Sequence, residues 1–186
     1  MKIRFIEQPI DYNGSQLNPH WIFRNWELLG NAMVAFIGRC DIAPEHMIDL
    51  VDLKDRKKIT SEKMLHFIGE FFDRNLGETI LLQRLFVSLV QQEITYRAKS
   101  TTLVRAGNDL FDGDAKLSVS IATASPVSTL IHYGINVSSK NTPVKTKGLE
   151  NYGLDPSMLA HSLLETMKNE MGTLEAARAK VKPAGA

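Results

Sequence analysis

A chain of 186 residues with 44% apolar and 23% charged residues is long enough to bury a core and is expected to form one domain over residues 1–186. A net charge of +1 gives no field to draw nucleic acid or an anionic membrane, and no run of about 18 apolar residues offers a membrane span, so neither is expected as a partner. A lone cysteine, Cys40, leaves no internal disulfide, and residues 1–9 read as a strand rather than an apolar leader, so the expected location is cytoplasmic.

Ile3 and Phe5 alternate with Lys2 and Arg4, which predicts a short strand ended by Pro9. Residues 11–18 are turn formers. Asn18-Pro19 predicts a helix start, with Ile22, Trp26 and Leu29 on one face and Gly30-Asn31 closing it. The apolar run over 33–37 predicts a buried central strand, with Cys40 as a core residue past its end. Residues 48–53 admit a strand, and the charged run from Asp49 to Lys58 reads as a solvated turn. A strand is expected over 64–72. The clearest helix is 78–97, where Leu81, Leu85 and Leu89 recur at four-residue spacing beside Leu82, Phe86, Val90 and Ile94.

Leu103-Val104 and Leu110-Phe111 are strand-like, and Asp112-Gly113 is a hairpin turn signal. After the turn, Leu117, Val119 and Ile121 alternate with Lys116, Ser118 and Ser120, which predicts one apolar face turned to the core and one polar face. Residues 123–129 form a loop rich in small hydroxyls. A strand follows over 130–137, carrying His132, read as a buried hydrogen-bonded histidine or one facing the site. Residues 138–153 are polar and turn-rich. Asp155-Pro156 caps a last helix with the stripe Leu159, Leu163, Met167, Met171 and Leu174, which Gly172 breaks or kinks, and 180–186 is a loose tail. Strands and helices alternate irregularly. The expected class is α+β, a mostly antiparallel or mixed sheet with helices packed on one face.

Three groups of residues are candidates for chemistry. Asn108, Asp109 and Lys116 bring an amide, a carboxylate and an ammonium to one side of the sheet, where a positive charge can meet a developing oxyanion. The alternative is that the first two are turn formers and the lysine blunts an edge strand. Ser118 and Ser120, with the hydroxyls after them, line a polar pocket or merely fill strand and turn positions. Asn13, Gly14, Ser15, Gln16, His20 and Arg24 crowd one loop and a helix start, the setting of a carboxylate or phosphate subsite or of a simple cap. The five histidines and Cys40 show no metal-ligand spacing, so no metal site is expected.

Asn108-Asp109-Leu110, then Lys116-Leu117-Ser118, then the strand ending Gly134-Ile135-Asn136-Val137, resembles the core of biotin and lipoate protein ligases, enzymes of a class II synthetase-like fold. The resemblance implies that Lys116 polarises an acyl carboxylate or acyl-adenylate, that Asn108 and Asp109 help hold nucleotide and metal, and that ATP and magnesium are the co-reactants. Through Tyr12 to Leu17, Pro19-His20-Trp21 and Lys116 to Ser120, nearly the whole chain resembles an uncharacterised archaeal and bacterial family of unknown function. Two departures stand out. Val119 occupies the place of a ligase glycine against which a ligand lies. The glycine- and arginine-rich adenylate loop has no counterpart, since Arg56-Lys57-Lys58 falls in that region without glycine.

Three readings follow: an enzyme that binds a nucleotide or small carboxylate and transfers an acyl or adenylyl group, a small-ligand-binding protein on the same scaffold that has lost the chemistry, and a structural protein. The partners expected are a small-molecule ligand and a second copy of the chain in a homodimer, because the helices over 78–97 and 155–178 offer more apolar surface than one sheet face covers. Any acyl ligand is expected to be short, because of Val119. Lys116→Ala is expected to abolish binding at a stability cost within about 1 kcal/mol.

Overall fold

The computed structural model describes residues 1–99, 102–140, 142 and 144–185. The strands are β1 (Lys2–Ile6), β2 (Ala32–Asp41), β3 (Thr60–Phe71), β4 (Leu103–Ala106), β5 (Asp109–Asp112), β6 (Ala115–Lys116), β7 (Ser118–Ala124) and β8 (Thr129–Asn136). The helices are α1 (Trp21–Trp26), α2 (Leu50–Lys54), α3 (Leu76–Ala98) and α4 (Pro156–Ala179). Five strands form a mixed sheet in the order β1-β2-β3-β8-β7, parallel only between β1 and β2; β4, β5 and β6 form a second, small antiparallel sheet. The class is α+β, with the two long helices on one face of the mixed sheet.

Strand alternation divides the core in two. Met33, Ala35, Leu65, Phe67, Tyr133 and Ile135 turn to α3 and α4, where Phe86 meets Phe67 and Tyr133 edge-on. Ala32, Val34, Phe36, Met64, Ile68 and Leu130 turn to the other face and pack with Tyr12, Leu17 and Ile22. β2 and β3 are buried on both faces, which explains their near-continuous apolar sequences. Helix α3 lies over β7 and β8, α4 over β1 and β2.

Several local expectations are corrected. The first helix starts at Trp21 rather than Pro19. Its cap residue, His20, is left-handed (φ 61°) and makes no side-chain cap bond; Glu27 (φ 57°) ends it, so Leu29 lies beyond it and is exposed. Residues 50–54 form helix α2 instead of a strand, because the Asp49 carboxylate accepts from the Val51 and Asp52 amides. Helix α3 opens with a capping box between Asn75 and Glu78. Its buried stripe is Leu82, Phe86, Val90 and Ile94, while Leu81 is 67% exposed. Helix α4 runs unbroken through Gly172.

The region after α3 differs most. Two tight turns, at Gly107 and Gly113 (each φ +61°), fold β4, β5 and β6 into their own sheet. The chain then breaks at Leu117 and enters the main sheet as β7. Leu117 is buried on the helix side, whereas Val119 and Ile121 pack on the opposite face. Ser118, fully buried, accepts from the Leu110 amide. The expected single polar face of Lys116, Ser118 and Ser120 therefore does not exist: the break resets the alternation.

Residues 10–12 run beside β2, with the Tyr12 amide donating to the Arg39 carbonyl at 2.8 Å. A Cβ on Gly38 would lie 1.9 Å from the Ile10 carbonyl oxygen. Gly38→Ala is therefore expected to cost about 2–3 kcal/mol in chemical denaturation, since backbone must move. Gly172→Ala, in open space within a helix, is expected to add about 0.5–1 kcal/mol. Equal stabilities of the two variants would contradict the packing described.

Candidate functional site

A cavity of about 590 Å³ opens on the sheet face away from α3 and α4. Its floor is Val119 and Ile121 of β7, His132 and Asn136 of β8, Met64 of β3, and Tyr12. The connection between β2 and β3, including α2, walls one side with Ile42, Ile48 and Ile59; Phe111 and Lys116 of the small sheet wall the other. The charged run Asp49 to Lys58 is part of this wall, with Lys57 paired to Asp52 at 2.8 Å and Asp55 at 3.5 Å.

Lys116 and Asp109 meet at the cavity. The ammonium Nζ lies 2.7 Å from Asp109 Oδ2, with side-chain exposures of 30% and 23%. The small sheet sets this geometry: Phe111 pairs with Lys116, and the Leu117 amide donates to the Leu110 carbonyl. Segment 145–147 clamps the Lys116 backbone from the far side, giving a carbonyl to its amide at 3.0 Å and an amide to its carbonyl at 3.2 Å. Asp112 holds that segment through Lys147 and the Tyr152 hydroxyl, both at 2.7 Å, and Asp114 pairs with Lys145 at 2.8 Å. Burial pushes the Asp109 carboxyl above its ordinary range, while the Lys116 ammonium pulls the other way. Its second oxygen, Oδ1, is buried with no hydrogen-bond partner. The ammonium thus sits beside a carboxylate whose charged form burial disfavours.

At the floor, His66 Nδ1 and His132 Nε2 are 3.0 Å apart, and the Tyr12 ring stacks on His132 at 3.8 Å. Burial pushes the His66 pKa down to about 3; burial, then the neighbouring His66, pushes that of His132 well below the usual range. Both rings are neutral at ordinary pH. Cys40 is a fully buried core residue whose thiol burial pushes up to about 12.

Of the residues read from the sequence, Asn108, Asp109, Lys116 and Ser120 line the cavity. Asn108 Oδ1 accepts from Arg84 Nε at 3.1 Å. The Ser120 hydroxyl donates to the His132 carbonyl and accepts from Gln83. Ser118 lies behind, on the helix side. The Asn13–Arg24 group falls outside the cavity. Asn13 Oδ1 accepts from the Ser15 amide and hydroxyl, Gln16 bridges Asp11 and Asn13, and the His20 amide donates to Glu70. Gly14 packs on His46, and Arg24 is exposed. Tyr12, His66 and the 42–60 wall went unread as site residues. The available signal was His66 standing between Met64 and Ile68, a polar residue at inward spacing in an apolar strand.

The buried histidines predict an acid-linked loss of stability. Each is neutral when folded and takes up a proton with an ordinary pKa near 6.5 when unfolded. Their lowered folded pKa values contribute stability that is present above pH 6.5 and is lost as pH falls below it. Between pH 6.5 and 5 the unfolding free energy is expected to drop by roughly 3 kcal/mol for the two groups. Denaturation curves that do not change over that interval would show that both rings charge in the folded state, and half the drop would show that one does.

Known proteins match this architecture closely. A solved protein of unknown function from Pyrococcus horikoshi superposes with a TM-score of 0.91 at 34% identity, covering 98% of both chains. An uncharacterised protein of Methanocaldococcus jannaschii is 40% identical over 161 residues, 83% of this chain and 72% of its own length. Biotin protein ligase from Aquifex aeolicus, in complex with biotin and ATP, shares the fold with a TM-score of 0.57 at 16% identity, covering 90% of this chain and 69% of that one. A candidate lipoate protein ligase of T. acidophilum with bound lipoic acid gives 0.58 at 11% identity, covering 91% and 85%. The scaffold is that of the biotin and lipoate ligases, and the chain, matched over residues 1–182, belongs to the family described as Domain of unknown function (DUF366).

Proposed function

We propose that the cavity binds a small carboxylate through Lys116, alone or with a nucleotide, and that the protein transfers an acyl or adenylyl group. The observation that carries this reading is the 2.7 Å pair of Lys116 and a largely buried Asp109 whose second oxygen is unpartnered, set at a cavity of about 590 Å³. A ligand carboxylate takes Asp109's place on the ammonium. Asp109, released into surroundings that disfavour its charge, then takes up a proton. If ATP is the second substrate, a carboxylate oxygen attacks the α-phosphorus, pyrophosphate leaves with the electron pair, and Lys116 stays beside the acyl oxygen as charge develops. Among the described residues no three His, Cys, Asp or Glu side chains gather as a metal-ligand set, so no step is routed through a metal.

Val119 favours the second reading, a ligand-binding protein without turnover, because its side chain occupies the cavity floor where the ligase pattern has glycine. Release of AMP and pyrophosphate separates the two. In either case the ligand is expected to be short, and tight binding of biotin or lipoate would contradict this. The homodimer belongs to the same proposal, supported by Leu81, Tyr96 and Met158, which remain 67%, 81% and 63% exposed on the long helices. Sedimentation as a monomer at micromolar concentration would exclude it.

The test is a thermal-shift screen of nucleotides and short carboxylic acids, since a ligand that binds only the folded state raises the melting temperature. Lys116→Ala is expected to abolish the shift while lowering stability by about 1–2 kcal/mol, because Asp109 loses its counter-charge and protonates. Lys140→Ala is expected to change neither. Binding is expected to take up a proton, so affinity falls as pH rises; calorimetry in two buffers of different ionisation enthalpy measures it. Full ligand affinity in Lys116→Ala would remove the site from this cavity.

A further inference from the structure

The floor of the cavity has a gap in its row of side chains. On β8, His132, Gly134 and Asn136 alternate onto the cavity side, and the middle one has no side chain. Gly134 pairs with Val119 of β7 on one flank and His66 of β3 on the other. It is nevertheless buried and does not reach the cavity. Met64 covers it. Met64 pairs with Asn136, two residues along, and its side chain leans back over the glycine. A Cβ on Gly134 would meet Met64 Cγ at 3.3 Å and the sulfur closer still. At this point the thioether, on a residue only 2% exposed, forms the cavity surface.

Of the aliphatic side chains on the floor, Met64 moves most easily. Val119 and Ile121 are branched at Cβ and stiff about χ1. Methionine is unbranched, with three rotatable bonds and a thioether that fills irregular gaps. Its position also matters. The Asn136 side-chain amide donates to the Lys116 carbonyl, which sets Lys116 beside Asn136. Gly134 lies two residues further along β8, about 7 Å at the rise of a strand. A carboxylate held by Lys116 therefore has its tail within reach of Met64, among Ile42, Ile48, Ile59 and Val119.

We infer that Met64 is a specificity-determining residue, which closes the floor over Gly134 and limits the length of an unbranched aliphatic acid held by Lys116. This deepens the carboxylate reading proposed above and rests on it. Val119 narrows the floor from β7 with a stiff side chain, whereas Met64 sets its depth with a yielding one. Two substitutions act in opposite senses. Met64→Ala uncovers the Gly134 backbone and deepens the floor. Gly134→Ala drives the thioether off its seat and into the cavity.

Calorimetric titration of the wild type and both variants with butanoate, hexanoate and octanoate tests the inference. In the wild type octanoate is expected to bind no more tightly than hexanoate. In Met64→Ala it is expected to bind about tenfold more tightly, as two further buried methylenes give. Gly134→Ala is expected to weaken hexanoate relative to butanoate. An order of affinities unchanged by Met64→Ala overturns the inference and leaves the role of Lys116 standing. Should no acid bind, the role of Lys116 fails, and the same comparison with 1-hexanol and 1-octanol decides on Met64. Carbon-13 spectra of the methionine methyls give a measurement on the wild type that needs no variant to bind ligand. The Met64 resonance, assigned by its loss in Met64→Leu, is expected to move when 1-hexanol is added. A Met64 methyl that does not respond to saturating hexanol overturns the inference.

Discussion

The geometry of the site depends on the break in the chain at Leu117. Its amide donates to the Leu110 carbonyl in the small sheet, and its carbonyl accepts from the Asn136 amide in the main one. One residue is thus shared by two sheets. The residue before it is delivered to the cavity as Lys116, and the residue after it is delivered to the helix side as Ser118. Had the strand run through without interruption, Lys116 and Val119 would lie on opposite faces. The burial of Leu117 among helix-side residues holds the break in place, because turning it outward would expose a core leucine, a cost of about 1.5–3 kcal/mol.

Two electrostatic regimes follow along the cavity. Near the break, charges are paired and partly wet: Lys116 with Asp109, Lys145 with Asp114, Lys147 with Asp112. The more exposed of these pairs contribute little to stability, but they fix the segment that clamps the Lys116 backbone. At the floor, burial keeps two imidazoles uncharged, with His66 Nδ1 and His132 Nε2 at hydrogen-bonding distance, 3.0 Å. One end of the cavity is charged and the other neutral. That polarity along one strand distinguishes this cavity from a simple apolar groove.

Much of the fold was legible in the sequence because burial on both faces leaves long apolar runs. The strands through Met33 and Leu65 and the long helices announced themselves in this way. Lys116 and Asp109 were legible as a pair because the turn residues between them fix their spacing. Two kinds of feature were not legible. The break at Leu117 obeys the same alternation on either side, so period-two reading passes through it without a signal. Helix α2 was misread because five residues carry too little periodicity to outweigh β-branched and leucine side chains, and the Asp49 cap decided the outcome. The loop from Asn13 to His20 resembled an anion subsite because its polar groups are dense, yet they are consumed by one another and by Glu70. His66 stands out in the sequence as a polar residue in an apolar strand, but its partner His132 is visible only once β3 and β8 are known to be neighbours.

The central claim is that the Lys116 ammonium exchanges Asp109 for a ligand carboxylate. A crystal structure with hexanoate bound tests it most directly. The account predicts a carboxylate oxygen at hydrogen-bonding distance from Lys116 Nζ, roughly 2.8 Å, with Asp109 Oδ2 displaced from its present 2.7 Å contact. Hexanoate seated elsewhere, with the Lys116–Asp109 pair intact, would contradict it.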